Sequence, residues 1–162
     1  LAAVENVKGR VELVPTQTDF KVFIDYAHTP DGLSNILHTA KGFTKGRVIA
    51  LFGCGGDRDR TKREIMGKIA GELADFSIIT SDNPRTENPV AIIEEIKVGM
   101  DKSGGEYIII VNRREAIEYA LAAAKKDDTV ILCGKGQETY QIIGKEKIHF
   151  DEREIVKEIL KK

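Results

Sequence analysis

The sequence predicts an α/β fold: a Rossmann-like, doubly wound three-layer domain, with a mainly parallel sheet and one antiparallel strand from a C-terminal hairpin. Three observations predict it. Five short runs rich in β-branched residues recur along the 162 residues, at 21–24, 48–52, 76–80, 107–111 and 129–133. They are apolar on both alternating faces, as strands covered on two sides must be. Segments with helical spacing separate them, and a right-handed crossover rule then puts helices on both sides of the sheet. After Gly136 the alternation stops, and two strand-like runs at 139–143 and 147–150 flank Gly144-Lys145 as a hairpin.

Each helix has its own start signal. Thr29-Pro30 opens the first, with Leu33, Ile36, Leu37 and Ala40 on one face and Gly42 as a stop. Thr61 with Glu64 reads as a capping box ahead of a face made by Ile65, Ile69 and Leu73. Asn88-Pro89 starts the third, which buries Ile92, Ile93, Ile96 and Met100. Asn112 caps the fourth, with Ile117, Ala120, Leu121 and Ala124, and Asp151 with Glu154 caps the last, with Ile155, Val156, Ile159 and Leu160. At the front, residues 11–14 form a short strand or linker before Pro15.

Composition excludes several classes. Lys and Arg total 25 against 26 Asp and Glu, so the basic excess of a nucleic-acid binder is absent. No apolar run approaches the roughly 20 residues of a membrane span, and no signal peptide precedes the first strand. Cys54 and Cys133 adjoin strand ends and read as buried thiols of a reducing cytoplasm. No His/Cys cluster supports a metal, and no Ser/His/Asp arrangement can be traced.

Ligands of open parallel sheets bind beyond the carboxyl ends of the strands. Here those ends carry polar loops in succession. The loop Asp82-Asn83-Pro84-Arg85 combines an acid, an amide and an arginine pinned by proline. Asp82 suits an ammonium, the planar fork of Arg85 suits a carboxylate, and the amide of Asn83 serves either. Gly134-Lys135-Gly136-Gln137-Glu138 allows close backbone approach, and Glu138 can share an ammonium with Asp82. Lys135 either touches a phosphate or is solvated. Gly53-Cys54-Gly55-Gly56 fails as a dinucleotide fingerprint, because Arg58 stands where the last glycine belongs. Arg58 is then an anion-binding side chain or a surface arginine paired with Asp57 or Asp59. Arg113 and Arg114 read as structural or solvated, because a helix start disfavours cations. His28 is a lone loop histidine, and His38 and His149 read as structural or exposed.

These pieces together resemble the C-terminal domain of the Mur ligases. The resemblance rests on Gly9-Arg10-Val11-Glu12, Asp25-Tyr26-Ala27-His28-Thr29-Pro30-Asp31, residues 53–63, Asp82-Asn83-Pro84-Arg85 and Gly134-Lys135-Gly136-Gln137-Glu138, in the family's order. The Asp-Tyr-Ala-His piece is shared with folylpolyglutamate and cyanophycin synthetases. The Asp-Asn-Pro-Arg and Gly-Lys-Gly-x-Glu pair is more specific to the branch that adds meso-diaminopimelate to UDP-MurNAc-L-Ala-D-Glu in peptidoglycan synthesis. Gln137 departs from the histidine more usual there.

The resemblance implies a cytoplasmic, ATP- and Mg2+-dependent ligase that works through an acyl phosphate. By it, Arg58, Asp82, Asn83, Arg85, Gly134 and Glu138 hold meso-diaminopimelate, with Arg85 selecting the carboxylate that lysine lacks. Arg10, Asp25 and His28 contribute to an ATP site shared with a central domain outside this chain, and residues 1–19 are the leader from it, with 20–162 the amino-acid-binding domain. No G-x-x-x-x-G-K-[ST] loop occurs in the sequence, so the chain alone is expected to be inactive. The competing readings are a related amide ligase, a Rossmann-like oxidoreductase domain and a free-standing amino-acid-binding module.

Overall fold

The computed structural model describes residues 11–161. The chain runs β1 (Glu12–Val14), β2 (Lys21–Asp25), α1 (Pro30–Phe43), β3 (Val48–Phe52), α2 (Thr61–Leu73), β4 (Phe76–Ile79), α3 (Pro89–Ser103), β5 (Tyr107–Ile109), α4 (Arg113–Ala123), β6 (Thr129–Cys133), β7 (Tyr140–Ile143), β8 (Glu146–His149) and α5 (Glu152–Leu160). Six strands form one sheet in the order β1-β2-β6-β3-β4-β5. The five from β2 to β5 are parallel, and β1 pairs antiparallel with β2. The hairpin β7–β8 pairs with itself as a separate two-stranded sheet. It meets the loop after β4, where Arg85 makes an isolated parallel bridge with Ile143.

Strand alternation sorts the apolar residues into two cores. Val48, Ala50, Phe52, Ile79, Ile131 and Cys133 face the layer of α1, α2 and α3. Ile24, Ile49, Leu51, Ile78, Val130 and Leu132 face α4 and α5. Every residue of β3 and β6 is buried, which is why both runs are apolar at successive positions. Register keeps like faces together, with Ile49 opposite Val130 and Leu51 opposite Leu132. Both thiols are buried, and desolvation pushes Cys54 up to about 12 and Cys133 higher still.

Four helices present the expected faces, and α2 does so only in part: Ile69 and Leu73 pack against the core, but Ile65 does not. The buried residues of α2 are Arg63, Met66, Gly67 and Ala70, while Ile65 is 50% exposed. The cause is the closeness of α2 to α3. A Cβ on Gly67 would lie 2.0 Å from the carbonyl oxygen of Ile96, and one on Gly99 would lie 1.8 Å from that of Glu64. Backbones that near admit only small residues between them, so the isoleucine turns outward. The Thr61–Glu64 capping box is also absent. Arg60 is the N-cap without a side-chain bond, Asp59 accepts from the Thr61 N–H and hydroxyl, and Glu64 pairs with Lys102. The asparagine and aspartate caps form as expected at Asn88, Asn112 and Asp151.

Candidate functional site

Because β2, β6, β3 and β4 are parallel neighbours, the loops that follow them leave the same sheet edge. They enclose a cavity of about 510 Å³ lined by Tyr26, His28, Thr29, Gly55, Arg58, Asp59, Lys62, Asp82, Asn83, Arg85, Gly134 and Glu138. All six residues singled out for an amino acid therefore share one space. Tyr26 and Lys62 join them unannounced. Tyr26 could have been suspected from its place in a polar loop at a strand end, whereas Lys62 carries no such mark.

The Asp82–Arg85 segment is held from two sides. From the sheet side, Gly56 N–H donates to the Asn83 carbonyl at 2.8 Å. Asp57, at φ 55°, accepts from the Thr86 N–H and hydroxyl. From the outside, β7 takes hold. The Arg85 N–H donates to the Ile142 carbonyl at 3.1 Å, and the Gly144 N–H donates to the Arg85 carbonyl at 2.7 Å. Gln141 Nε2 donates to the Asp82 carbonyl at 2.7 Å. These bonds keep Arg85 at φ 52°, a left-handed conformation that a bulky residue adopts only when its surroundings impose it.

The guanidinium so placed is spent on little. Arg85 Nη1 donates to the carbonyls of Gly56 at 3.0 Å and Asn83 at 3.4 Å. Among the described residues Arg85 has no carboxylate partner in an ion pair. Arg58 likewise donates only to the neighbouring Asp57 carbonyl, at 2.9 Å, rather than to a carboxylate. Two arginines thus face the cavity without acidic partners, while Asp82 and Glu138 line it too.

Beneath the acids lies Lys135, neither solvated nor free for a phosphate. It is fully buried. Its Nζ donates to Asn83 Oδ1 at 2.8 Å and to the Tyr140 carbonyl at 2.9 Å, and stands 3.2 Å from Asp82 Oδ1 and 3.7 Å from Glu138 Oε1. The contact with Asp82 is an ion pair off hydrogen-bond alignment, since Asp82 Oδ1 has no hydrogen-bond partner. Asn83 Oδ1 also accepts from the Ile142 N–H at 3.0 Å. Two pure donors on one atom identify it as the oxygen, which turns Nδ2 toward Glu138 at 3.5 Å.

Burial governs the titration of this cluster. Desolvation lowers Lys135, against the opposing pull of Asp82 and Glu138. Desolvation likewise raises Glu138 above the usual carboxylate range, with Lys135 opposing and Asp82 adding to the rise. Tyr26 is raised by burial and by the same two acids. Gly134 lies beside them at φ 111°, and a Cβ on it would meet Asp82 Oδ2 at 2.8 Å. The missing side chain keeps that oxygen clear.

Asp25 and His28 adjoin a second, neighbouring cavity of about 390 Å³. Both Asp25 oxygens accept backbone N–H groups, Oδ1 from Val11 at 2.7 Å and Oδ2 from Ala27 at 2.8 Å. The exposed His28 ring is tethered through Nδ1 to the Tyr26 carbonyl at 2.8 Å. Arg10 lies outside the described residues. Arg113 proves structural: it is fully buried, paired with Glu152 at 2.8 Å, and bonded to the carbonyls of Ser81 and Cys133. Arg114 is exposed and pairs with Glu158. Among the described residues no cluster of His, Cys, Asp and Glu could hold a metal ion, and no helix is long and apolar enough to cross a membrane.

Comparison with known proteins assigns this architecture. The profile of the family described as Mur ligase, glutamate ligase domain, matches residues 9–136. The UDP-N-acetylmuramoyl-L-alanyl-D-glutamate--2,6-diaminopimelate ligase of Caldanaerobacter subterraneus subsp. tengcongensis is 62% identical over 155 residues, covering 96% of this chain and 32% of that protein. A solved structure of a ligase of the same name superposes with a TM-score of 0.89 at 41% identity, over 94% of this chain and 31% of the other. E. coli FolC in complex with ADP superposes with a TM-score of 0.58 at 25% identity, over 79% of this chain and 28% of that one. The chain spans about a third of the length of the curated relative it matches. Relatives of this chain are thus amide-bond-forming ligases, and an ADP complex among its structural neighbours points to ATP use in this group. On fold, loop order and profile alike, the chain belongs to the Mur ligase family and carries its glutamate ligase domain.

Proposed function

We propose that this chain is the amino-acid-binding part of an ATP-dependent, cytoplasmic ligase that adds meso-diaminopimelate to UDP-MurNAc-L-Ala-D-Glu. One observation carries the reading: the unpaired guanidinium of Arg85 shares a cavity with the carboxylates of Asp82 and Glu138. That arrangement matches a ligand with carboxylate and ammonium groups at once. The names of the relatives in the 2,6-diaminopimelate branch support the same substrate.

In this reading Arg85 and Arg58 take carboxylates, and Asp82 and Glu138 take an ammonium through the oxygens that Lys135 leaves open. Asn83 offers Nδ2, and Gly134 leaves room for the ligand beside Asp82. ATP supplies the phosphoryl group that activates the acceptor, with Mg2+ held by a preceding central domain. Residues 1–19 lead from that domain into the amino-acid-binding part at 20–162. Arg10 and His28 serve in this reading as nucleotide contacts, while Asp25, whose oxygens already hold backbone, shapes the loop that presents His28. Closure of this part over the central domain would bring the amine to the activated carboxyl and exclude water.

Steady-state kinetics of the full-length parent with Arg85→Ala test the reading. The expected result is a rise of roughly 10²-fold or more in KM for meso-diaminopimelate, from the loss of two charged hydrogen bonds. KM for ATP is expected to hold. Unchanged kinetics with diaminopimelate, or a wild-type preference for glutamate or lysine, would refute it.

A further inference from the structure

The run Gly53-Cys54-Gly55-Gly56 contains three glycines, and packing explains two of them. A Cβ on Gly53 would lie 2.1 Å from the Thr80 carbonyl oxygen, and one on Gly56 would lie 1.9 Å from the Pro84 carbonyl oxygen. Both obstacles are backbone and cannot yield. Gly55 is different. Its Cβ would first meet Arg85 Nη1, at 2.9 Å, then Arg58 Cγ at an ordinary 3.7 Å. It is not among the residues with positive φ, so its backbone accommodates an alanine. Only the guanidinium of Arg85 stands in the way.

We propose that Gly55 is a specificity-determining position, whose bare Cα is the berth that aims the Arg85 guanidinium at the carboxylate of the incoming amino acid. The proposal rests on the reading of the cavity given above. Arg85 has no other way to absorb a collision. Its main chain is fixed at φ 52° by bonds to Ile142 and Gly144, so any displacement falls on the side-chain torsions. Nη1 also donates to the Gly56 carbonyl at 3.0 Å, so a move off Gly55 disturbs the bond that orients the group. A methyl at position 55 therefore leaves the fold in place and shifts one functional group by a fraction of an ångström to about an ångström. Misplacement on that scale costs on the order of 10²-fold in a well-oriented site.

A double-mutant cycle in the full-length parent tests the assignment, with Gly55→Ala, Arg85→Ala and the pair compared by kcat/KM for meso-diaminopimelate. Gly55→Ala alone is expected to lower kcat/KM by roughly 10- to 10²-fold, the loss carried in KM for the diamino acid while KM for ATP holds. In the Arg85→Ala background the same change is expected to cost nothing. An equal cost in both backgrounds, or no cost in either, overturns the Gly55 assignment alone. No effect of Arg85→Ala by itself overturns the reading of the cavity and the Gly55 assignment with it. Thermal melting separates the remaining case, with Gly56→Ala as the comparison. A fall for Gly55→Ala as large as that of Gly56→Ala would mean that folding requires the glycine, which also overturns the proposal.

Discussion

Lys135 Nζ lies 2.8 Å from Asn83 Oδ1, and this contact joins the loop after β6 to the loop after β4. The same ammonium bonds the Tyr140 carbonyl and pairs with Asp82. One buried cation thus ties together both acidic loops and the first strand of the hairpin. It also compensates charge, because Asp82 and Glu138 line one cavity and stand 3.2 and 3.7 Å from this ammonium. An exposed lysine would do neither, since water would screen it and its side chain would lose little by moving.

Lys135→Met keeps the volume and removes the charge, which leaves Asp82 buried without its cation. Removing one partner of a buried pair costs about 3–5 kcal/mol. Denaturant unfolding is expected to show a loss of that size, together with weaker binding of diaminopimelate by the full-length protein. A variant as stable as the wild type would show that the ammonium is not holding the loops.

Arg113 does corresponding work at the start of α4. Its guanidinium joins Glu152 at the start of α5 to the carbonyls of Ser81 and Cys133 at the ends of β4 and β6. Burial acts to lower its pKa, yet the Glu152 and Asp82 charges leave it raised. Arg113→Ala is expected to destabilise by about 3–5 kcal/mol, read as a fall in the denaturant midpoint. Arg114→Ala removes an exposed pair with Glu158 and is expected to cost no more than about 1 kcal/mol.

Glu87 gives a pH dependence with a definite sign. The hydrogen bond from Arg63, followed by the Asp57 N–H, lowers its carboxyl from 4.5 to about 2. A depressed native value means stability that is fully present above the unfolded value and lost as pH falls through the native one. Glu87→Gln is therefore expected to be less stable than the wild type at neutral pH, with the gap closing between pH 4.5 and about 2. Unfolding midpoints across a pH series check this. A gap that stays constant to pH 2 would show that the Arg63 contact contributes no net charge stabilisation.

Much of this protein is written locally. The runs Val48–Phe52 and Thr129–Cys133 are apolar on both faces, and only a covered parallel sheet satisfies them. Thr29, Asn88, Asn112 and Asp151 announce helix starts because a side-chain oxygen two or three residues ahead of a free N–H is a local fact. The polar loops at strand ends were legible as a candidate site for the same reason, since parallel strands send all their carboxyl ends to one edge.

Tertiary structure alone decided which charges go inside. Arg63, Arg113, Lys135 and Glu152 are buried, and nothing near them in sequence marks them. Arg113 and its partner Glu152 are 39 positions apart, and Lys135 and Asn83 are 52 apart. Burying a charge is favourable only when a distant partner and the remaining hydrogen-bond groups arrive together, and periodicity cannot report that. The outward turn of Ile65 has a similar origin, because the nearness of α2 to α3 is a property of two helices rather than of one. The sequence by itself therefore determined the layers and the edge where the site lies. The packing of distant segments decided which way Arg85 points, and what stands behind Asp82.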